Sequence, residues 1–373
     1  MKDNEIPKTA KVAVLVGTKK IDIKELPVPA INDDEILVRV EGCGICGTDV
    51  HEYKGDPFHY IPIQLGHEGT GTIVKIGKNV QKDYRGKSLS MGDKIVTGLR
   101  PCGVCDICTH HAERIHLCDS GEIFGLMPGK EHYFNGWFGE YMKVNKGGVV
   151  FNVSDMDLDL RLLIEPSSVI VHAVEKAKEI FDFRFDSNVL VQGCGPIGLL
   201  LLTLLRTMGV RNIIAVDGDK KRLALAKELG AKTTVNFTEY KSTADMAEAI
   251  RAITGGYGAD CAFQCTGSPA AASNIYQLVR RGGSMCELGF FVNNGNASIN
   301  PHLDLCNKEI KLTGSWTYQA KDWITAFDFL KEAQERGLPV TKLITHRFPL
   351  TEINEAMETN IRMDGVKIAI INQ

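Results

Sequence analysis

The stretch Val189-Leu-Val-Gln-Gly193-Cys-Gly195-Pro-Ile-Gly198 decides the fold of this chain. It places Gly-x-Gly-x-x-Gly directly after a short apolar run and at the start of a run with helical periodicity. Gly193 would permit a tight turn, Gly195 the close approach of a pyrophosphate, and Gly198 the packing of helix on strand. Such glycines can mark any tight turn when they stand alone, so the prediction of a dinucleotide site depends on the surrounding pattern.

That pattern is an alternation of apolar β-type runs with helical runs from residue 164 onward. The predicted strands are 188–192, 212–216, 234–235, 259–264, 283–288 and 308–313. The predicted helices are 164–177, 197–208, 220–229, 243–254, 268–279 and 322–334. Alternation of this kind predicts βαβ units and a doubly wound parallel sheet of the α/β class.

An acidic residue follows the glycine motif at the distance that a dinucleotide site requires. Asp217 ends the next predicted strand, nineteen residues after Gly198. A carboxylate there would accept both ribose hydroxyls and repel a 2′-phosphate, which favours NAD over NADP. Asp217 could instead cap a helix, and Arg222 could pair with Asp217, lie along the adenine or be a solvated charge. The candidate cofactor-binding residues are Gly193, Gly195, Pro196, Ile197, Gly198, Asp217, Arg222, Thr266 and Leu288.

The chain before the parallel-sheet region is rich in β-type runs. Val and Ile cluster at 12–16, 35–41, 69–76 and 94–96 between turn residues, and helical periodicity is scarce before residue 158. We therefore predict a β-rich domain at 1–160, a parallel-sheet domain at 161–315 and a C-terminal return to the first domain at 316–373.

Composition excludes several classes of function. Apolar residues make up 44% and charged residues 24%, so the chain can build a packed core. Forty-three Lys and Arg face 46 Asp and Glu, which removes the basic footprint of a nucleic-acid or membrane-surface protein. The most apolar stretch, 189–210, is interrupted by Gly, Pro, Gln and Arg and predicts no membrane span. No signal peptide is evident at the N-terminus, and eleven cysteines, an odd number, indicate thiols in a reducing compartment such as the cytoplasm.

Four cysteines form a dense cluster in a turn-rich stretch. They are Cys102, Cys105, Cys108 and Cys118. Four thiolates at this spacing predict a closed, tetrahedral structural zinc site in a lobe at about 100–120. Three histidines in the same stretch are rival fourth ligands: His110, His111 and His116.

A second constellation is discontinuous. It comprises Cys43-Gly-Ile-Cys46-Gly-Thr48-Asp49-Val-His51, then Gly66-His67-Glu68, and later Ile164-Glu165-Pro166. Cys, His and Glu together are typical of an open, catalytic zinc site. Spacing alone does not choose between Cys43 and Cys46, and Glu165 could simply be an acid at a helix N-terminus.

These motifs resemble the zinc-containing medium-chain dehydrogenase/reductase family. The family pattern continues through Gly69-x-Gly71-x-Ile-x-x-x-Gly77-x-x-Val80, 136–141, the four-cysteine stretch, the glycine motif and 264–267, almost the whole chain. Ile164-Glu-Pro-x-Ser168-Val-x-Val-His172-Ala is similar to the sorbitol (polyol) and threonine dehydrogenase branch. The resemblance implies a GroES-like catalytic domain, a Rossmann NAD-binding domain, and assembly as a homodimer or homotetramer.

The resemblance also implies roles for individual residues. Cys46, His67 and Glu68 would hold the catalytic zinc, with Glu165 binding it directly or through a water. Thr48 would touch the substrate oxygen, and His51 would end a proton relay through the cofactor ribose. Cys43 would be a structural neighbour, and Asp49 would orient a ligand.

Two stretches depart from the family pattern. Cys118 follows Cys108 at a spacing two residues longer than the common one, which leaves the fourth ligand open. Residues 81–90 look like an insertion whose role the sequence does not indicate.

The expected activity is oxidation of a secondary alcohol, a polyol, cyclitol or sugar alcohol, to a ketone with NAD. Oxidation of an amino alcohol of the L-threonine type is the alternative. A non-enzymatic NAD(H)-binding sensor would lack part of the open site, and a zinc-free quinone or enoyl reductase would lack the metal residues. The residues present therefore disfavour both.

Overall fold

The computed structural model describes residues 6–127 and 133–372 in two compact units. The first unit holds the described residues up to Glu165, Gln319–Lys321 and 344–372. The second holds Pro166–Tyr318 and Asp322–Leu343. This division differs from the predicted boundaries, because 322–343 belongs to the second unit and not to a C-terminal return. The reason is the apolar face of the helix that begins at Ala320, which buries Trp323, Phe327 and Leu330.

The first unit is built mainly from antiparallel strands. Its strands are β1 (Thr9–Gly17), β2 (Lys20–Pro27), β3 (Ile36–Gly44), β4 (Glu68–Ile76), β5 (Lys94–Thr97), β6 (Tyr141–Val144), β7 (Val150–Asn152), β14 (Ile344–Phe348) and β15 (Lys367–Ile371). Strands β1 and β2 form a two-stranded sheet, and the others form a seven-stranded sheet in the order β14-β15-β3-β4-β5-β7, with β6 paired to β3. One face of this sheet buries Val38, Val40 and Ile95 in a core that also contains Trp137.

Short helices connect the strands of the first unit. They are α1 (Gly47–Gly55), α2 (Asp106–His110), α3 (Leu158–Arg161) and α10 (Ile353–Ile361), with 3₁₀ turns at Ala112–Leu117 and Leu350–Glu352. The sequence analysis did not predict α1. Its buried residues include Asp49 and Glu52, so it lacks the apolar stripe by which a helix is recognised.

The second unit is a six-stranded parallel sheet flanked by helices. Its strands are β8 (Asn188–Gln192), β9 (Asn212–Asp217), β10 (Thr233–Asn236), β11 (Ala259–Gln264), β12 (Val279–Glu287) and β13 (Lys311–Gly314). Its helices are α4 (which starts at Ile164 and ends at Lys178), α5 (Pro196–Thr207), α6 (Lys220–Glu228), α7 (Thr243–Ile253), α8 (Pro269–Asn274) and α9 (Ala320–Glu335). Short turns lie at Phe237–Glu239, Ile275–Leu278, Pro301–Cys306 (a π-helical turn) and Val340–Leu343.

The order of these strands is β10-β9-β8-β11-β12-β13. Strands β9 and β10 therefore lie on one side of β8, and β11, β12 and β13 lie on the other. Ligands bind to such sheets at the carboxyl end of the strand where the order reverses, which here is β8. The predicted α/β fold is confirmed.

One predicted helix in this unit is wrong in extent. The sequence analysis extended a helix over 268–279, but α8 stops at Asn274, a 3₁₀ turn covers Ile275–Leu278, and Val279 already pairs with Ala259 in the sheet. Sheet pairing overrides the helical periodicity at its end.

The 81–90 stretch folds into a small hairpin-like loop around one buried carboxylate. Lys82 bridges to Ser88, and Asp83 is 6% exposed. The Asp83 side chain accepts the N–H groups of Arg85 at 2.8 Å, Lys87 at 2.9 Å and Asn152 at 3.0 Å. The loop is thus fastened to the end of β7. Across the described residues, no helix is both long and apolar enough to cross a bilayer.

Candidate active site and zinc centres

One buried carboxylate joins the two ligand-bearing segments of the first unit. Cys46 precedes the first turn of α1, and its N–H donates to Asp49 Oδ2 at 2.8 Å. Asp49 Oδ1 accepts the N–H of Gly66 at 3.1 Å. Asp49 is fully buried, so both bonds lie away from water. The start of α1 and the loop before His67 are thereby fixed to each other.

The same carboxylate orients His67. Nδ1 of His67 lies 3.4 Å from Asp49 Oδ1, and the ring is 5% exposed. Burial acts to lower the pKa of His67, but the charges of Asp49 and Cys46 outweigh it and hold the pKa well above its usual range. An imidazole with Nδ1 against a carboxylate has Nε2 left for a metal ion, an arrangement common in zinc proteins.

Glu68 is held by a buried ammonium group. It begins β4 opposite Gly44 of β3, where a Cβ would collide with Glu68 Oε2. Lys367, at the start of β15 and 2% exposed, donates to Glu68 Oε2 and to the Ile45 carbonyl, the latter at 3.2 Å. Burial disfavours the charged lysine, yet Glu68 and Cys46 raise its pKa above the usual value.

The structure brings Cys46, His67 and Glu68 together. One ligand atom from each lies within 4.8 Å of the other two. We refer to these three residues as the Cys–His–Glu group. A thiolate, an imidazole and a carboxylate converging in this way fit a zinc ion, which accepts all three ligand types. Glu165 is buried in the first turn of α4 outside this group, although its charge contributes to the raised pKa of Lys367.

The choice between Cys43 and Cys46 follows from burial. Cys43 is completely buried on β3 and stands outside the group. Burial, reinforced by the charges of Asp49 and Glu68, raises the pKa of the Cys43 thiol well above its usual value. A metal ligand must be a thiolate, so Cys46 is the cysteine suited to the metal.

Thr48 and His51 lie one turn apart on α1. Thr48 Oγ1 is 3.7 Å from Cys46 Sγ, which places the hydroxyl beside the group. His51 is partly buried, and burial together with the charge of Lys54 lowers its pKa. The imidazole is therefore neutral near pH 7 and able to accept a proton.

The four cysteines of the lobe at 102–118 also converge. Their sulfur atoms all lie within 4.8 Å of one another. Cys102 Sγ lies 3.9 Å from Cys108 Sγ, and Cys105 Sγ lies 3.7 Å from Cys118 Sγ. Backbone N–H groups of Val104 and Cys105 lower the pKa of Cys102 to about 6. Four converging sulfurs fit a tetrahedral zinc ion.

The rival histidines stay outside this cluster. His110 Nδ1 contacts Asp106 Oδ1 at 3.1 Å, and His111 Nε2 lies 3.8 Å from Asp106 Oδ2. The 3₁₀ turn at Ala112–Leu117 takes up the longer spacing before Cys118, so the extra residues do not remove it from the cluster.

The glycine motif has the backbone geometry predicted for phosphate binding. Gly193 has φ +99°, and a Cβ there would lie 2.6 Å from Thr266 Cγ2. A Cβ on Gly198 would collide with the Gly193 carbonyl, whereas one on Gly195 would meet no atom within 4 Å. Gly195 precedes Pro196 at the start of α5, so the open space lies at a helix N-terminus.

Asp217 fastens the glycine loop. Its Oδ2 accepts the Cys194 N–H at 2.7 Å, and its Oδ1 accepts the Asp219 N–H at 2.8 Å. Asp219 caps α6, which rules out the helix-cap interpretation of Asp217. The charge of Arg222 acts on both Cys194 and Asp219, so this side chain is close to the loop. Leu288, the last predicted cofactor residue, directly follows β12 and donates its N–H to the Gln264 carbonyl at 3.1 Å.

A Rossmann unit and a β-rich unit with one open and one four-thiolate metal centre define a zinc-dependent dehydrogenase. Family models agree: the alcohol dehydrogenase GroES-like domain matches residues 32–155, and the zinc-binding dehydrogenase domain matches 196–332. The chain belongs to the zinc-dependent medium-chain dehydrogenase/reductase family, in its polyol and threonine dehydrogenase branch. The predicted resemblance is confirmed.

Individual relatives match over nearly their full length. The chain is 32% identical to the sorbitol dehydrogenase of Bacillus subtilis (strain 168), covering 95% of this chain and 94% of that protein. It is 31% identical to an L-threonine 3-dehydrogenase of Caldanaerobacter subterraneus subsp. tengcongensis, covering 94% of each. The crystal structure of an alcohol dehydrogenase from Thermotoga maritima superposes with a TM-score of 0.89 at 29% identity, covering 98% of this chain and 100% of that chain.

Sequence reasoning missed one residue of the site, Lys367. A lysine at the start of an apolar run looks like the solvated end of an edge strand. Only the pairing of β15 with β3 brings it to Glu68.

Proposed function

We propose that the protein oxidises a polyhydroxylated secondary alcohol to the ketone, with NAD as hydride acceptor. The observation that carries this proposal is the convergence of Cys46, His67 and Glu68 in the first unit. The second unit contributes the glycine loop and Asp217. Hydride transfer from an alcohol needs a metal site and a nicotinamide site, and the chain has residues suited to each.

The resemblance to the family implies a role for each residue of the site. A bound zinc ion would supply Lewis-acid polarisation of the alcohol oxygen. Cys46 and His67 would hold the ion, with Glu68 as third ligand and Glu165 as a nearby carboxylate. Thr48 would hydrogen-bond the substrate hydroxyl, and neutral His51 would accept the proton that leaves it.

The substrate class follows from the chemistry of the ligands. Carboxylates among the ligands favour oxygen-rich partners over apolar ones. A vicinal diol offers a second hydroxyl that can orient the molecule, whereas a simple alcohol offers none. The sorbitol dehydrogenase relative supports the polyol class.

Asp217 supports NAD over NADP. Each of its oxygens accepts one backbone N–H, and a carboxylate oxygen can accept a second hydrogen bond from a ribose hydroxyl. A 2′-phosphate would meet its negative charge. Asp217→Ala should therefore raise KM for NAD. The ratio of kcat/KM with NAD to kcat/KM with NADP should fall by about tenfold or more. Equal use of both cofactors by the wild type would contradict this interpretation.

The substrate test compares kcat/KM with NAD across sorbitol, xylitol, inositols, L-threonine, 2,3-butanediol and 2-butanol. We expect a polyhydroxylated compound to exceed 2-butanol, which matches 2,3-butanediol in carbon skeleton and lacks one hydroxyl. If 2-butanol equals or exceeds every polyhydroxylated compound, the polyol proposal fails.

Oxidation of L-threonine is the second candidate. The relative from Caldanaerobacter supports it, and the carboxylates of Glu68 and Glu165 are groups that an ammonium ion would approach. A kcat/KM for L-threonine above that of every polyol would select it.

We also propose a cytoplasmic homo-oligomer that binds neither nucleic acid nor membrane. None of the eleven cysteines, all of which lie in the described residues, forms a disulfide, which fits a reducing compartment. Strand β13 is an edge of the parallel sheet, and Leu312 and Trp316 are each 47% exposed on or beside it. A second copy pairing there would cover this edge. Leu312→Lys should lower the mass measured by light scattering to that of one chain, and an unchanged oligomer would exclude this edge.

A further inference from the structure

Three adjacent strands of the second unit end in polar residues at the same level. Gln192 ends β8, Gln264 ends β11 and Glu287 ends β12. Gln264 is the register partner of both Gln192 and Glu287, so the three form one row across the carboxyl edge of the sheet. We refer to these residues as the polar row. It lies at the ligand-binding edge of the parallel sheet.

Only one carboxylate oxygen of Glu287 accepts hydrogen bonds from the described residues. Glu287 Oε1 accepts the Gly289 N–H at 2.8 Å and the Gln264 Nε2–H at 3.3 Å. Among the described residues no hydrogen bond reaches Oε2. Burial raises the pKa of Glu287 to about 6, so the carboxylate is charged at pH 8.

The cation that acts on the residue before Glu287 is Lys176, and it is engaged elsewhere. The charge of Lys176 reaches Cys286, the residue before Glu287. Lys176 Nζ, however, donates to both carboxylate oxygens of Glu179, at 2.7 and 2.6 Å. Among the described residues no cation acts on Glu287, whose polar contacts are the Gly289 N–H and the Gln264 side chain.

At the other end of the row, the carboxamide oxygen of Gln192 has no hydrogen-bond partner among the described residues. The residue is 7% exposed, and its Oε1 is buried without a hydrogen bond within the described chain. A buried amide without partners costs about 1–3 kcal/mol. A ligand on this edge of the sheet would supply the missing bond.

The direction of the dinucleotide across the sheet follows from the strand order. The glycine loop follows β8, and Asp217, which would bind the adenosine ribose, ends β9 on one side of β8. The nicotinamide half must therefore extend to the opposite side, over β11 and β12. Neighbouring strands are about 4.8 Å apart, so the end of β12 lies about 10 Å from the end of β8, within reach of that half.

We propose that Glu287 selects the oxidised form of the cofactor, through attraction between its carboxylate and the positively charged pyridinium ring. The reduced ring is neutral and gains nothing from this charge. Gln192 supplies hydrogen bonds to the same half of the cofactor. The inference rests on the proposed function only in that it requires a pyridine dinucleotide on this edge of the sheet.

The test is binding without any alcohol, so that it does not depend on the substrate. Dissociation constants of NAD and NADH are measured at pH 8 by protein fluorescence and calorimetry for the wild type and for Glu287→Gln. We expect the ratio Kd(NAD)/Kd(NADH) to rise about tenfold in Glu287→Gln, because only NAD loses an attraction. Glu287→Asp, which keeps the charge, should stay within about threefold of the wild type. Glu248→Gln, an exposed carboxylate on α7, is the matched control and should leave the ratio unchanged.

Two results would overturn the inference. The first is an unchanged ratio in Glu287→Gln, which includes an equal weakening of both ligands, and the second is a Glu287→Asp that behaves like Glu287→Gln. If Glu287→Gln does not fold, Glu287→Asp and Gln192→Leu provide the test. Gln192→Leu should raise the dissociation constants of both NAD and NADH. Unchanged affinities in Gln192→Leu would contradict a role of the polar row in cofactor binding. Failure of the wild type to bind either cofactor would instead contradict the proposed function.

Discussion

The two candidate zinc centres are built in opposite ways. The four-cysteine lobe draws all its ligands from 102–118, and its helical turns contain no buried residue. The Cys–His–Glu group takes Cys46 from the residue before α1, His67 from the residue before β4 and Glu68 from the start of β4, and His67 and Glu68 are buried. In the first centre the four thiols converge within one short, exposed segment. In the second, the surrounding fold holds each ligand.

This difference predicts what each metal does for the protein. A segment with no buried apolar residue gains its cohesion from the metal, so zinc binding there contributes directly to folding. In the Cys–His–Glu group, Asp49 and Lys367 hold the ligand residues through protein contacts. Metal binding there should govern chemistry more than stability.

The largest expected effect is a difference in activity between variants of Cys46 and of its buried neighbour Cys43. Cys46→Ala should lower kcat/KM by about a thousandfold or more, since it removes a ligand of the ion that polarises the substrate. Cys43→Ala, a buried neighbour of the same type, should keep the activity within about tenfold. Zinc content per chain and the unfolding temperature accompany the kinetics. Similar losses in both variants would contradict the assignment of Cys46.

The second expected effect concerns the lobe. Cys105→Ser should remove one zinc ion per chain and lower the unfolding temperature by several degrees, because a structural zinc site contributes to folding. The zinc of the Cys–His–Glu group should be retained. Cys306→Ser, at an exposed cysteine outside both centres, is the control. A Cys105→Ser variant with unchanged zinc content and stability would contradict a structural site.

A smaller effect is expected from the carboxylate behind His67. Asp49→Asn keeps the shape of the side chain and removes the charge that orients the imidazole. We expect a 10–100-fold loss of zinc affinity at this centre, measured by competition with a chelator. The lobe should keep its zinc in the same titration. Equal zinc loss from both centres would mean that Asp49 supports the fold rather than the metal.

The smallest expected effect is a shift of pH dependence. Burial and the charge of Lys54 lower the pKa of His51. The neutral, proton-accepting imidazole therefore persists at pH values below about 6.5, the usual pKa of histidine. Alcohol oxidation should therefore decline only as the pH falls through this lowered pKa. Lys54→Gln removes one of the two causes and should move the acid limb of kcat/KM upward by a fraction of a pH unit. A downward shift, or none, would contradict the role of His51.

The sequence predicted those features that depend on local spacing. Four cysteines within 102–118 predict a structural zinc site by their spacing alone. The Gly-x-Gly-x-x-Gly motif after an apolar run predicts a dinucleotide site at the carboxyl edge of the parallel sheet. Strands β8 and β11 have the predicted bounds because short apolar runs between turn residues leave little choice.

Features that depend on long-range pairing could not be predicted. Helix α1 buries the polar residues Asp49 and Glu52 and so lacks an apolar stripe. Lys367 and Glu287 resemble ordinary strand-end charges until sheet register places them beside Glu68 and Gln264. The spacing of Cys43 and Cys46 does not show which of them is the metal ligand, and the burial of Cys43 in the structure favours Cys46.

The ion pair of Glu68 and Lys367 has a consequence for biosynthesis. The two residues are 299 positions apart, and at about 5–20 residues per second the ribosome needs about 15 to 60 s to add the lysine after the glutamate. During this interval Glu68 has been made without the ammonium group that pairs with it in the finished protein. The buried ion pair behind the metal group can therefore form only after synthesis has reached the last strand, so completion of this centre must follow synthesis of nearly the whole chain.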